Sequence, residues 1–138
     1  MANHIAGVKP RPNLVLCSTA LRTRQTLMPV VKRLGTPAPP IALEKDLYLA
    51  SEQMLLDRLR ALPESANSVL LIGHNDGIWH LAQRLVGSGS AALREALADK
   101  FPTGALATLR LAERPWAELG WGAAKLAGFV KPRELGAT

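Results

Sequence analysis

Two short apolar runs, each cut off by polar residues, organise the pattern of this chain. In the first, Leu14, Val15, Leu16 and Cys17 lie between Pro12 and Ser18. In the second, Val69, Leu70, Leu71 and Ile72 lie between Ser68 and Gly73. Runs of this length without alternation predict strands buried on both faces, as in a parallel sheet, at about residues 13–17 and 69–72. Each run gives way to helical spacing. After Gly77, Ile78, Leu81, Ala82 and Leu85 predict a helix to about residue 86. After the first strand, Ser18 or Thr19 is the expected cap of a helix whose apolar side is Leu21, Met28, Val31 and Leu34. Gly35 is expected to stop that helix, and Pro29 to kink or break it.

The remaining elements are shorter. Three prolines in residues 36–40 predict a stiff loop, and 41–43 a short strand. Ser51 caps a predicted helix that carries Leu55, Leu59 and Leu62 and ends at Pro63. Residues 87–90, Gly-Ser-Gly-Ser, predict a loop, with Ser90 capping a helix to Lys100. Residues 105–111 alternate, which predicts a half-buried strand, and a last strand pair is expected at 116–119 and 125–130. Strands alternating with helices and then strands at the end imply an α/β sheet with helices on both faces.

Composition narrows the class. The 138 residues suit a single domain, 1–138, with 48% hydrophobic and 20% charged positions. No apolar run reaches membrane-span length, the start lacks a signal-peptide block, and the single Cys17 fits a reducing, cytoplasmic setting, so no membrane partner is expected. The net charge of +6 suits an anionic partner. Scattered basic residues, 4% aromatics and the lack of a recognised motif argue against nucleic acid.

Candidate chemistry lies at the two strand ends. His74 sits where a buried strand turns into a helix, which is where open α/β sheets bind ligands. By itself it reads equally as a turn histidine or as a catalytic or ligand-binding imidazole. Arg22 lies near the start of the helix after the first strand, where the dipole favours anions and a guanidinium adds a fork matched to phosphate. Both ends should face one rim. Arg24 reads as solvated, His80 as solvated or ion-paired at the surface near Asp76 and Arg84, and His4 as a terminal residue without a partner of note. No His, Cys or carboxylate set has metal-ligand spacing, so neither metal nor cofactor is expected.

Together these residues resemble a family. Gly73-His74-Asn75 after one strand and Ser18-x-x-x-Arg22-x-x-Gln25-Thr26 after another are similar to the histidine phosphatase superfamily. Tyr48-Leu49-Ala50 and Phe101-Pro102-Thr103-Gly104-Ala105-Leu106 resemble its short bacterial, SixA-like phosphohistidine phosphatases. The resemblance implies a phosphoglycerate mutase-like fold: a three-layer α/β/α sandwich with a mostly parallel central sheet and antiparallel C-terminal strands. It implies that a histidine in an Arg-His-Gly motif on the first strand attacks phosphorus, and that water then hydrolyses the phosphohistidine. By the same resemblance Arg22 binds phosphoryl oxygens and His74 donates to them. Ser18 and Asn75 support the pocket wall, and Thr103 lies near the rim.

One departure is large. The Arg-His-Gly strand has no counterpart here, Asn3-His4-Ile5 is not that motif, and residues 1–8 look like the tail of the family's first helix. Thr19 also replaces the proline that often follows the serine. The chain is therefore expected to be N-terminally truncated, by a cut or a misplaced start codon, and to lack the first strand. Unpaired strand edges and apolar surface inside the sheet should result. The expected function is a phosphohistidine phosphatase-like phosphohydrolase acting on a phosphorylated protein or small phosphorylated substrate, the chain itself being inactive. The alternative is a non-catalytic module, a pseudo-phosphatase that binds phosphorylated ligands and regulates a partner.

Overall fold

The computed structural model describes Ile5 and residues 11–132. From residue 11 onward the described residues form six strands and four helices in order: β1 (Leu14–Ser18), α1 (Leu21–Leu34), β2 (Ile41–Glu44), α2 (Glu52–Arg60), β3 (Val69–Ile72), α3 (Gly77–Leu85), β4 (Val86–Gly89), α4 (Ala91–Asp99), β5 (Leu106–Leu111) and β6 (Ala124–Val130). Short 3-10 turns occupy Lys45–Leu47 and Trp116–Glu118. This is an α/β fold in three layers. No described helix is long and apolar enough to cross a membrane.

The side-chain period of two sorts the strands between the layers. Val15 and Cys17 of β1 pack with Leu70 and Ile72 of β3 against Leu27 of α1. Leu14, Leu16, Val69 and Leu71 face the other way, into the large cluster built by Leu55, Leu56 and Leu59 of α2 and Leu81 and Leu85 of α3. Asn13 fastens the start of this arrangement. Its Oδ1 accepts from the backbone N–H groups of Asn67 and Ser68, both at 3.1 Å. Glu44 and Arg58 close the other side with two hydrogen bonds of 2.6 and 2.7 Å, tying the end of β2 to α2.

The strands fall into two three-stranded groups. In the order β2-β1-β3 all pairs are parallel; in the order β4-β6-β5, β4 is parallel to β6 and β5 antiparallel. Among the described residues, β3 and β5 each have one edge without a strand partner. A cleft of about 1090 Å³ lies between them, lined by both strands along their length. Its two ends are bridged. Asn75 Nδ2, just past the end of β3, donates to Phe101 O before the start of β5 at 2.7 Å. At the other end Trp116 Nε1, past β5, donates to Ala66 O before β3, also at 2.7 Å. The two strands therefore run in opposite directions across the cleft. They also share layers: Leu70 and Leu106 pack on Ile5, Val30 and Leu34, while Leu71 and Leu109 pack on the large cluster.

Several sequence expectations change. All four β3 residues are half-buried rather than buried on both faces, because the cleft runs along their free edge. Helix α1 continues through Pro29, and its buried face is Thr23, Leu27, Val30 and Leu34; Leu21 and Met28 are exposed. Thr23 can face inward because its hydroxyl donates to Ser18 O and Ala20 O at 2.9 and 2.8 Å. Neither Ser18 nor Thr19 caps α1: the capping position is Ala20, without a side-chain bond. The expected loop at 87–90 is largely strand β4, which lies against the β6 side of the fold closely enough to require glycine. A Cβ on Gly87 would sit 2.0 Å from Gly122 O, and Gly89 has φ +132 with Leu126 O 2.9 Å from its Cβ position. The strand expected at 116–119 is instead a 3-10 turn, Trp116–Glu118. His4 and most of the predicted N-terminal helix tail lie outside the described residues.

Candidate active site

Two strand ends converge at one rim. β1 delivers Ser18 and β3 delivers His74, and the two side chains meet: His74 Nε2 lies 2.9 Å from Ser18 Oγ. Ser18 is fully buried. Its Oγ also accepts from the Ala20 N–H at 3.3 Å, and its carbonyl is held by Thr23. The first turn of α1 and the imidazole are thus locked to the same residue. His74 is half-buried, and its carbonyl accepts from Ile78 N–H at 3.0 Å as α3 begins.

Arg22, the second residue of α1, is exposed and lines the cleft together with His74, Asn75 and Thr103. Burial, and then the Arg22 guanidinium, hold the His74 imidazole below its ordinary value. An anion at this rim reverses the second effect, because it screens Arg22 and favours imidazolium. The rim thus sets one guanidinium beside one imidazole, two groups able to donate to an anion. Asn75 spends its amide on Phe101 O, bridging the cleft at its rim end, and Thr103 is exposed on the loop before β5. Arg24 and His80 are exposed, the latter stacked on Trp79. Among the described residues no group of three or more His, Cys, Asp or Glu could hold a metal ion.

No family model matches the chain. Two mycobacterial proteins match most of it. The uncharacterized protein Rv1276c of Mycobacterium tuberculosis is 36% identical over 126 residues, 90% of this chain and 76% of that one. The uncharacterized protein ML1117 of Mycobacterium leprae is 35% identical over 127 residues, 90% and 74% of the two chains. Solved structures share the fold. The protein of Nakamurella multipartitia assigned as phosphohistidine phosphatase SixA superposes with a TM-score of 0.78 at 27% identity, covering 95% of this chain and 79% of that one. Its counterpart from Agrobacterium tumefaciens gives 0.76 at 29% identity, covering 95% and 75%.

The chain belongs to the family of these mycobacterial proteins, and its fold is histidine phosphatase-like. The protein histidine phosphatase SixA in complex with tungstate, at 24% identity and a TM-score of 0.69, shares the fold over 97% of this chain and 80% of that one. The likeness to the two structures at 27% and 29% identity supports a phosphatase-like function. Within this histidine phosphatase-like fold the structure adds a neighbour that residue chemistry did not single out. Tyr48, which entered the sequence reading only through a family pattern, lies edge-on to His74 with ring centroids 5.1 Å apart. The one sequence signal was an aromatic residue shortly after a predicted strand end.

Proposed function

We propose that this rim binds the phosphoryl group of phosphohistidine or of a small phosphoester, and that hydrolysis proceeds through a histidine carried by a strand seated between β3 and β5. In this reading Arg22 and His74 receive the phosphoryl oxygens. Ser18 holds the imidazole, Asn75 supports the pocket wall, and Thr103 borders the entrance. One observation carries it: a Ser18-bonded His74 under the influence of the Arg22 charge, at the mouth of an apolar cleft walled by two strand edges that have no strand partner among the described residues. At about 1090 Å³ the cleft slightly exceeds the usual range for a small-molecule pocket, ~300–1,000 Å³, and far exceeds what one phosphate needs. Its two edges offer backbone donors and acceptors, and its apolar layers lie above and below, so an extended segment apolar on both faces fits it.

The chemistry then balances in two steps. A histidine nitrogen from that segment attacks phosphorus; the new N–P bond forms as the P–O or P–N bond to the leaving group breaks, and the leaving group takes up a proton from solvent. Water next attacks the phosphohistidine, releasing phosphate and restoring the imidazole. Arg22 and His74 stabilise the charge that spreads over the equatorial oxygens in both steps.

Calorimetry with inorganic phosphate and turnover of an aryl phosphate or a phosphohistidine protein test this reading. The chain of 138 residues is expected to bind phosphate, to lose that binding on Arg22→Ala, and to show little turnover until a peptide strand ending in Arg-His-Gly is added. Vigorous turnover without added peptide, lost on His4→Ala, contradicts it. Phosphate binding without turnover after the peptide is seated favours a phospho-ligand-binding regulatory module.

A further inference from the structure

The loop between β2 and α2 departs from what packing alone requires. Leu47 and Ala50 anchor it in the core, while the two residues between them, Tyr48 and Leu49, are 56% and 65% exposed. Leu49 takes φ +52, a left-handed backbone that a leucine adopts only under strain. The anchor at Ala50 is tight: a Cβ on Gly77 would lie 2.1 Å from Ala50 O, so the start of α3 rests directly on this loop. The result is an apolar ridge fixed from both sides and turned outward. It stands at the phosphate rim, since Tyr48 touches the His74 ring and Leu49 lines the same cleft as Arg22. Leu21, beside Arg22, is 62% exposed.

A scattered surface leucine is ordinary. A strained one, paired with an exposed tyrosine edge-on to a candidate ligand histidine, has no role in the core. We propose that Tyr48 and Leu49 form the specificity element of the site. They receive the apolar, ring-shaped body that carries the phosphoryl group, an aromatic or heteroaromatic ring in preference to a polyhydroxyl sugar or glycerol. The proposal rests on the reading that Arg22 and His74 hold the phosphoryl group. A flat ring projecting from that group meets the tyrosine, with stacking and burial of ring surface as the gain. A sugar hydroxyl there loses water without finding a partner.

The test is calorimetry on the chain with three probes: inorganic phosphate, phenyl phosphate and glycerol phosphate. Wild type is expected to prefer phenyl over glycerol phosphate by ~10-fold, or ~1.4 kcal/mol. Tyr48→Ala should remove most of that ratio and Tyr48→Phe should keep it. Leu49→Gly should lower the ratio while raising the Tm, because glycine relieves the positive φ. That gain shows the fold is intact. A wild-type ratio near one, or a ratio unchanged in Tyr48→Ala, overturns the specificity role. Equal weakening of all three probes leaves the ratio unchanged, and would mean that Tyr48 acts only through His74. Binding of none of the probes overturns the phosphate reading itself, and this proposal with it.

Discussion

β1 and β3 are almost the same strand in sequence and quite different strands in the molecule. Both are short, largely aliphatic runs that pair with each other in parallel register, and the chain reaches the rim at Ser18, the last residue of β1, and at His74, two residues past β3. β1 has partners on both edges and helices on both faces, and Val15, Leu16 and Cys17 are inaccessible. β3 has the same two helical layers but, among the described residues, one paired edge, and every residue in it is half-buried. Burial of a parallel strand is thus a property of its neighbours. The apolar run shows what a strand can tolerate; its edges decide what it gets.

The largest expected effect sets Leu16 against Leu71, which are register partners on the same face. Leu16→Ala should cost ~3 kcal/mol, because a fully buried leucine leaves both lost contacts and a cavity. Leu71→Ala should cost well under half of that, since the cleft already exposes it. Urea denaturation of the two variants checks this, and equal losses would break the comparison. The same pair sharpens it: with a strand peptide seated in the cleft, the cost of Leu71→Ala should climb toward that of Leu16→Ala.

A smaller effect concerns how the outer edge of the sheet is secured. Arg58→Ala should cost ~1 kcal/mol, because the Glu44–Arg58 pair is bidentate but only partly buried. Hydrogen bonds from Arg58, opposed by burial and helped by its charge, hold the Glu44 carboxyl below its ordinary 4.5. A depressed carboxylate contributes stability above its unfolded value and loses it as pH falls through the folded one. The wild-type denaturation midpoint should therefore fall below about pH 4.5 more steeply than that of Arg58→Ala.

The smallest effect belongs to the rim. His74 holds its proton less readily folded than at its ordinary 6.5, first through burial and then through Arg22. The folded state then binds fewer protons than the unfolded one between the two values. Stability is complete above about pH 6.5 and declines as pH drops toward the depressed folded value. Arg22→Ala removes one of the two causes and should make that decline shallower in midpoints measured between pH 7.5 and 5. An identical or steeper decline would place the two groups out of electrostatic reach of each other.

Local chemistry made much of this molecule legible in advance. The capping Ser51 accepts from Met54 N–H and Ser90 from Leu93 N–H, both at 3.2 Å, because a hydroxyl before a helix has little else to satisfy. The strand-to-helix changes at Ser18 and Gly73 were visible because hydrophobic period changes there. Arg22 and His74 stood out because their types and positions both favour an anion. Other features depended on partners distant in sequence. The inward face of α1 turns on a hydroxyl at Thr23, which a hydrophobicity pattern scores as polar, reaching back to the Ser18 carbonyl at the end of β1. The Gly-Ser-Gly segment is a strand because it pairs with β6, and glycine lets it do so, since a Cβ on Gly89 would meet Leu126 O and one on Gly87 would meet Gly122 O.

The sequence by itself determined the order of elements, the apolar strands and the two residue types at their ends, since these follow from periodicity and local bonding. Tertiary structure alone decided that Ser18 and His74 touch, that Tyr48 stands against the imidazole, and that the sheet opens along β3 and β5. Those outcomes join residues far apart along the chain. A hydrogen-bonded strand edge is completed or left open by whichever backbone lies beside it, and the strand's own residues carry no record of that neighbour.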